Sequence, residues 1–179
     1  MNATEFEQEV RNDLHHYLRA QGELDERMPD APDIEEKWEA IARAYLPDGI
    51  REFAQYPTTS LGWMMYIGMA VAQYWDEDWE VYGQVEDLYA RLRDKRGYDH
   101  MDEYIRQGVL SLHGKAFDQM ERLVAECASR TNSRLRRAPF EPGTKAAFDA
   151  YIACLRQLYV MGAAVWLKRM GYHMEELGA

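Results

Sequence analysis

Two long stretches of the chain carry almost no charge, and they constrain the fold more than any other feature. Residues 53–75 contain no charged side chain, and residues 146–167 contain only Asp149 and Arg156. A surface helix shows a charged face, so a helix that is apolar on nearly all sides belongs in a core. We therefore predict two central helices, at about 59–79 and 145–170, with Thr144 as the N-cap of the second.

The first stretch is too short to cross a bilayer. Its strictly apolar part, Leu61–Ala72, would be roughly 18 Å long as a helix at about 1.5 Å per residue. The hydrocarbon core of a membrane is about 30 Å thick. Pro57 and the polar residues 58–60 begin the helix, and acidic residues follow it where a membrane anchor usually has Lys or Arg. We therefore interpret it as a core helix and expect no membrane partner.

Small residues in both central helices predict that the two helices approach each other closely. Gly62 and Gly68 lie in the first helix, and Gly162, Ala163 and Ala164 lie in the second. Glycine inside a helix costs about 0.5–1 kcal/mol relative to alanine. Tight packing between the two sets would offset that cost.

The remaining chain shows helical spacing of apolar residues and no alternating run typical of a strand. The sequence therefore predicts an all-α fold, a single-domain bundle of five or six helices over residues 1–179. The expected loops are at about 21–32 and 130–143. We expect the helix that begins near residue 59 to continue to about residue 95, and a further helix to cover about 101–127.

Charge and composition limit the classes of partner. The chain is 47% apolar and 29% charged, with a formal net charge of −10, so it should repel nucleic-acid phosphates and anionic lipid. The first ten residues lack the basic and apolar segments of a signal peptide, so we expect a cytoplasmic protein. Cys127 and Cys154 fit no metal or redox spacing. We expect two buried free thiols, with a disulfide between them as the alternative.

The arginines in residues 130–137 form the basic cluster of the sequence. Such a cluster can contact phosphate or nucleic acid, or it can fold onto the acidic surface of its own protein. The strongly negative chain favours the second interpretation, and we expect no nucleic-acid partner.

Carboxylates at helical spacing are candidate metal ligands. Asp76, Glu77 and Glu80 end the first apolar stretch, and Asp99 and Asp102 follow at the start of the next predicted helix. Residues three or four apart share a helix face, and oxygen ligands of this kind suit Mg²⁺. The alternative is that the carboxylates at 76–80 form the solvated face of an amphipathic helix.

The pattern Glu77-x-x-Glu80 followed by Asp99-x-x-Asp102 resembles the E-x-x-E…E-x-x-D arrangement of all-α nucleoside-triphosphate pyrophosphohydrolases, with Asp in place of Glu at 99. The resemblance covers these four positions. It implies a Mg²⁺-dependent hydrolase in which carboxylates of two adjacent helices hold the metal and a metal-bound water attacks a phosphate.

His113 is the candidate catalytic base, because the sequence places it beside an apolar stripe between Val109 and Phe117. No nucleophile signature accompanies it, and a hydrogen-bonded, partly buried histidine is the structural alternative.

Aromatic and methionine residues are abundant, with 12 Tyr, 5 Trp and 10 Met. These residue types are enriched at protein–protein interfaces. The leading prediction is a non-enzymatic, cytoplasmic helical interaction or scaffold protein without a cofactor. We expect it to self-associate as a homodimer through a helical face. The Mg²⁺-dependent hydrolase is the alternative.

Overall fold

The structure, a computed structural model, describes residues 1–174. These residues form α1 (Ala3–Ala20), α2 (Pro32–Glu36), α3 (Trp38–Gln55), α4 (Pro57–Tyr82), α5 (Leu88–Arg93), α6 (Met101–Tyr104), α7 (Gly114–Arg137) and α8 (Lys145–Arg169). A 3-10 turn (Tyr98–His100) precedes α6, and a π-helical turn (Ile105–Val109) follows it. No strand occurs in this part of the chain. The predicted all-α bundle is confirmed, with more helices than the five or six expected.

The two apolar stretches are the central helices α4 and α8, as predicted. Nearly every residue from Ser60 to Ala72 is buried, and so is nearly every residue from Ala150 to Leu167. Thr144 caps α8 by accepting a hydrogen bond from the Ala147 backbone. By length and composition α8 could cross a membrane, but 83% of its apolar window is buried inside the protein.

Glycines bring α4 and α8 into backbone contact. A Cβ atom at Gly68 would overlap the carbonyl oxygen of Tyr159, and one at Gly162 would overlap the carbonyl oxygen of Met65. Each helix therefore supplies a glycine where the other's backbone passes, which confirms the predicted close approach. Gly62 lies on another side of α4, where a Cβ would be 3.3 Å from the Val124 side chain of α7.

The central helices run parallel. The Ser60 and Tyr151 hydroxyls are 2.6 Å apart, and further along Trp166 donates to Gln73 over 2.7 Å. Residue numbers thus rise together in α4 and α8. A parallel pair cannot be joined by a short turn, and α5 to α7 form the crossover between them.

The outer helices follow the same two directions. α1 runs parallel to α8, since Glu7 pairs with Arg156 and Glu23 with Arg169. α7 runs antiparallel to α1, and α3 antiparallel to α4, as shown by the pairs Asp13–Arg130, Glu9–Arg134, Tyr45–Ser60 and Lys37–Gly83.

The bundle therefore has two distinct ends. At one end α1, α4 and α8 begin and α3 and α7 finish; we call it the basic end, after Arg134, Arg136 and Arg137 in the last turn of α7. At the other end α1, α4 and α8 finish; we call it the acidic end, after the carboxylates at residues 76–80 of α4.

Three predicted boundaries are wrong. The loop expected at 130–143 is helical as far as Arg137, because Arg130 and Arg134 pair with Asp13 on α1. The helix expected to reach residue 95 ends at Tyr82, and a separate helix, α5, begins after Asp87, which caps it. The other expected loop, at 21–32, is confirmed to within a residue, since α2 begins at Pro32.

The third error concerns the helix predicted at 101–127. The chain widens into a π turn in which Leu110 donates to Ile105 over 2.9 Å, and Leu112 then donates to Arg106 over 2.8 Å. Ser111 adopts a φ of 55°, a left-handed conformation that ends a helix. α7 is therefore a separate helix from α6.

Both cysteines are buried free thiols, as expected. Burial raises the pKa of Cys127 to about 12.

Candidate functional site

The carboxylates at the end of α4 do not share one helical face. Asp78 leaves the helical conformation at φ −167° and ψ 85°, and its side chain accepts a hydrogen bond from Val81 N over 3.3 Å. This kink separates Asp76 from Glu80, so the expected spacing of one helical turn is lost. Asp76 accepts from the Tyr172 hydroxyl over 2.6 Å, and Glu77 accepts from Gln73 over 2.8 Å. Asp76, Glu77 and Glu80 are all exposed.

The other two candidate ligands differ from each other in their surroundings. Asp99 is exposed in the 3-10 turn, whereas Asp102 on α6 is half-buried and accepts from Arg106 over 2.8 Å. In residues 1–174, no group of three or more His, Cys, Asp or Glu side chains is arranged to hold a metal ion. The structure does not bring the five predicted ligands together, and the Mg²⁺-dependent hydrolase stays a prediction.

His113 is exposed in the extended segment that precedes α7. The apolar stripe on which it was expected is interrupted at Ser111, so Val109 and Phe117 belong to different helices. Its role as a catalytic base stays a prediction.

Arg106 is the most deeply buried charged side chain of the described residues, at 2% exposure. Its guanidinium donates to Asp102 over 2.8 Å, to Glu121 over 3.3 Å and to the Phe117 carbonyl over 3.2 Å. It also lies 3.8 Å from the ring centroid of Phe117 and 5.4 Å from that of Tyr66. Buried charges need this combination of an ion pair, carbonyl acceptors and aromatic faces.

The π turn places Arg106 in this position. An ordinary helix would carry α6 onward in the same line, but the wider turn starts at Ile105 and ends with the break at Ser111. Such turns occur often at functional sites. Arg106 thereby reaches between α4 and α7 and links Asp102 to Glu121.

A cavity of about 420 Å³ opens beside these groups, between α4 and α7. Its walls combine aromatic, aliphatic, hydroxyl and carboxylate side chains: Thr59, Trp63 and Tyr66 from α4, Glu121, Val124 and Ser129 from α7, and Asp102 from α6. The polar residues 58–60 were expected to cap the start of α4, but the helix begins at Pro57 without a side-chain cap. Thr58 and Thr59 line this cavity.

The aromatic wall of the cavity is held from behind. Trp63 donates its indole N–H to the Tyr98 carbonyl over 2.7 Å, and the Tyr98 hydroxyl lies 3.1 Å from that of Tyr45. Tyr45 in turn donates to the Ser60 carbonyl over 2.5 Å. Burial raises the pKa of Tyr45 and Tyr66 well above the usual value, so both phenols are neutral at physiological pH.

The electrostatics of the cavity are negative. Asp102 and Glu121 lie on its wall, while Arg106 lies behind them and is not part of the lining. Burial raises the pKa of Asp102, and the neighbouring Arg106 guanidinium opposes that rise. Two carboxylates thus face one buried cation, which leaves a surplus negative charge at the cavity.

Sequence reasoning identified Asp102 as a candidate and missed the rest of this site. The four-residue spacing of Asp102 and Arg106 does indicate an ion pair. It does not indicate that the pair is buried, because the contacts with Tyr66, Phe117 and Glu121 come from other helices.

The two ends of the bundle carry most of the exposed apolar side chains. Met1, Ile50, Tyr56 and Phe148 lie at the basic end, and Val81 and Tyr172 lie at the acidic end. At the basic end an apolar cavity of about 340 Å³ is lined by residues that include Phe53, Phe140 and Tyr151. Ile50 and Phe148 lie three residues from Phe53 and Tyr151 on the same helices, so they extend that surface.

Comparison with protein-family models, with curated proteins and with solved structures finds no match to this chain.

Proposed function

We propose that the protein is a non-enzymatic, cytoplasmic helical interaction protein that self-associates head to tail, with the basic end of one copy against the acidic end of the next. The observation that carries the proposal is the location of the exposed apolar side chains. Tyr56 is 60% exposed and Phe148 44% at the basic end, whereas Val81 is 58% exposed at the acidic end. Exposed apolar groups gathered in one place are typical of protein–protein contacts.

Charge complementarity supports pairing of unlike ends. At the basic end, Arg136 and Arg137 are exposed in the last turn of α7, and Arg136 lines the apolar cavity. At the acidic end, the carboxylates of residues 76–80 are exposed near the end of α4, close in sequence to Val81. Opposite charges around apolar centres favour this orientation, and like ends would repel.

The remaining arginines of the cluster are already used within the chain. Arg130 lies 3.5 Å from Asp13 and 3.2 Å from Glu126, and Arg134 lies 3.4 Å from Asp13. This agrees with the prediction that the cluster folds onto the protein's own acidic surface. It also leaves Arg136 and Arg137 as the arginines of this turn that are available to a second copy.

A contact between unlike ends is heterologous, so each copy keeps one end open. Such contacts produce rings when the rotation between copies closes and filaments when it does not. The proposed assembly therefore grows with protein concentration beyond the homodimer expected from the sequence. Added salt weakens it because exposed charges are screened.

Sedimentation velocity with two blocked variants tests the arrangement. Tyr56→Glu with Arg136→Glu blocks the basic end, and Val81→Asp with Tyr172→Asp blocks the acidic end by replacing its exposed apolar side chains. Both blocked ends are then negative and repel each other. Each double variant alone should be monomeric, and their mixture should form a one-to-one dimer and nothing larger. Arg43→Glu, an exposed charge reversal within α3, is the matched control and should assemble like the parent.

A parent protein that is monomeric at high concentration would contradict self-association. If one blocked variant still dimerises alone, the contact is between like ends, and the head-to-tail arrangement is wrong. Circular dichroism of each variant should show unchanged helix content, because all the substituted side chains are partly or fully exposed.

A further inference from the structure

The cavity between α4 and α7 has the size of a small-molecule site. Its volume of about 420 Å³ falls within the range of about 300–1,000 Å³ that is usual for ligand pockets. It shares no lining residue with the apolar cavity at the basic end. Its occupant is therefore a separate question from self-association.

The polar groups of the cavity are suited to bind a positively charged hydrogen-bond donor. Asp102 and Glu121 on its wall are acceptors, and their one shared counterion, Arg106, is at 2% exposure behind them. The hydroxyls of Thr59 and Ser129 add weaker acceptors on the rim.

Tyr66 gives an independent indication of a ligand. It lines the cavity at only 2% exposure, yet its hydroxyl forms no hydrogen bond with any other described residue. This oxygen is not among the fully buried polar atoms without a partner, which are Arg130 Nε and Asn132 Oδ1 in the described residues, so it reaches the open space of the cavity. A donor placed between Tyr66 and the carboxylate of Asp102 would therefore find an acceptor there that no protein group uses.

The aromatic walls select the type of cation. Trp63 and Tyr66 contribute aromatic side chains to the cavity wall, and Val124 adds an aliphatic one. Aromatic faces attract organic cations, whereas a divalent metal ion needs six or more oxygen ligands for Ca²⁺ or near-ideal octahedral geometry for Mg²⁺. The wall has two carboxylates and no third His, Cys, Asp or Glu grouped with them among the described residues.

We propose that this cavity binds a small organic ammonium ion. Its N–H groups donate to Asp102, Glu121 and the Tyr66 hydroxyl oxygen, and its alkyl part packs against Trp63 and Val124. Arg106 does not touch the ligand; it holds Asp102 and Glu121 in place from behind.

Isothermal titration calorimetry with butylamine, 1,4-diaminobutane and the neutral analogue 1-butanol tests the proposal. The two amines should bind saturably, and 1-butanol should bind at least about tenfold more weakly, because it lacks the charge-assisted hydrogen bonds. No saturable binding of either amine, or equal binding of 1-butanol, would overturn the proposal.

Variants locate the binding. Ala125→Lys places an ammonium group in the cavity from an exposed position of α7 and should abolish amine binding. Glu121→Gln should weaken binding about tenfold, because a neutral amide replaces one charged acceptor. Gln119→Lys is the matched control: it adds the same charge to an exposed position of α7 outside this cavity and should bind like the parent.

If Ala125→Lys binds the amines as tightly as Gln119→Lys does, the amines bind elsewhere and the assignment is wrong. Neither substitution touches Arg106, so both variants should keep the melting temperature of the parent, and loss of binding would not reflect unfolding. The blocked-end variants should keep amine binding, which separates this result from that of self-association.

Discussion

α4 packs against α8 on one side and against α7 on another, and the two contacts differ in kind. Against α8, glycines at 68 and 162 let the backbones touch, and the surrounding side chains are almost wholly buried. Against α7, the spacing is set by larger side chains, and a cavity with two carboxylates remains. Close backbone packing leaves no room for a ligand, so a site can form only at the looser contact.

The same difference appears in the charged groups beside each contact. Arg106 brings a buried charge to the side of α4 that faces α7, with Asp102 and Glu121 as partners. Such a charge is costly to bury and is retained only with good partners. The buried polar groups of the α4–α8 contact are instead uncharged, as in the pair Ser60 and Tyr151.

Substitution of Gly162 should break the closer contact and have the largest effect. Gly162→Val adds a side chain where the Met65 carbonyl already lies. Such overpacking against backbone should lower the free energy of unfolding by about 4 kcal/mol, at the upper end for core changes. Urea unfolding followed by circular dichroism measures the loss.

Alanine at each glycine gives a matched pair: Gly162→Ala still places a Cβ on the Met65 carbonyl, whereas Gly62→Ala tests the α7 side. Its Cβ would lie 3.3 Å from the Val124 side chain, which can shift, and alanine favours the helix. We expect stability within about 1 kcal/mol of the parent. Equal losses for Gly162→Ala and Gly62→Ala would show that the two contacts are equally tight and would contradict the comparison.

Removal of Arg106 should have the next largest effect. Arg106→Met leaves Asp102 half-buried without its counterion and should lower the free energy of unfolding by about 2 kcal/mol, less than for a fully buried pair. Adding Asp102→Asn should restore part of the loss, because the uncompensated charge is then gone. If the double variant loses the sum of the single losses, the two side chains are not coupled.

The smallest effect concerns protonation of two arginine-paired carboxylates. Burial raises the pKa of Asp102 despite Arg106. Burial also raises the pKa of Glu7 on α1, but hydrogen bonds from Arg156 and Gln157 outweigh burial and leave that pKa below its usual value. Carboxyl ¹³C NMR should therefore find Asp102 titrating at higher pH than Glu7, the reverse of the order in unfolded chains.

These directions predict opposite dependences of stability on pH. Glu7 binds its proton less tightly in the folded state, so its contribution is complete above its unfolded pKa and is lost as pH falls through the folded pKa. The stability difference between parent and Glu7→Gln should shrink on acidification. If the stability difference between the parent and Glu7→Gln stays constant as pH falls through the folded pKa of Glu7, the lowered pKa of Glu7 is wrong.

Asp102 binds its proton more tightly when folded, so its ionisation lowers stability as pH rises from the unfolded to the folded pKa.

Local sequence pattern was sufficient for the central helices. The uncharged stretches at 53–75 and 146–167 correspond to α4 and α8, and Thr144 caps α8. These features depend on residues within one or two helical turns of each other. The basic residues near the end of α7 also suit a helix C-terminus; that signal was available and was interpreted as a loop.

Other features depend on contacts between distant residues. Arg134 remains in a helical conformation because it forms an ion pair with Asp13 on α1. The break at Ser111 follows the π turn that directs Arg106 inward. The kink at Asp78 separates carboxylates that the sequence places on one helical face. The spacing of residues within one helix does not predict where a second helix will pack against it.

The helical class of the protein, the identity of its two central helices and their close approach at glycines follow from the amino-acid sequence. Apolar content and glycine position are local properties, and burial follows from them directly. The parallel direction of α4 and α8, the separation of charge and exposed apolar groups to two ends, and the cavity between α4 and α7 become visible in the folded structure alone. Helix direction and cavities arise from how whole helices fit together, which depends on crossover geometry and on side-chain volumes from several helices at once.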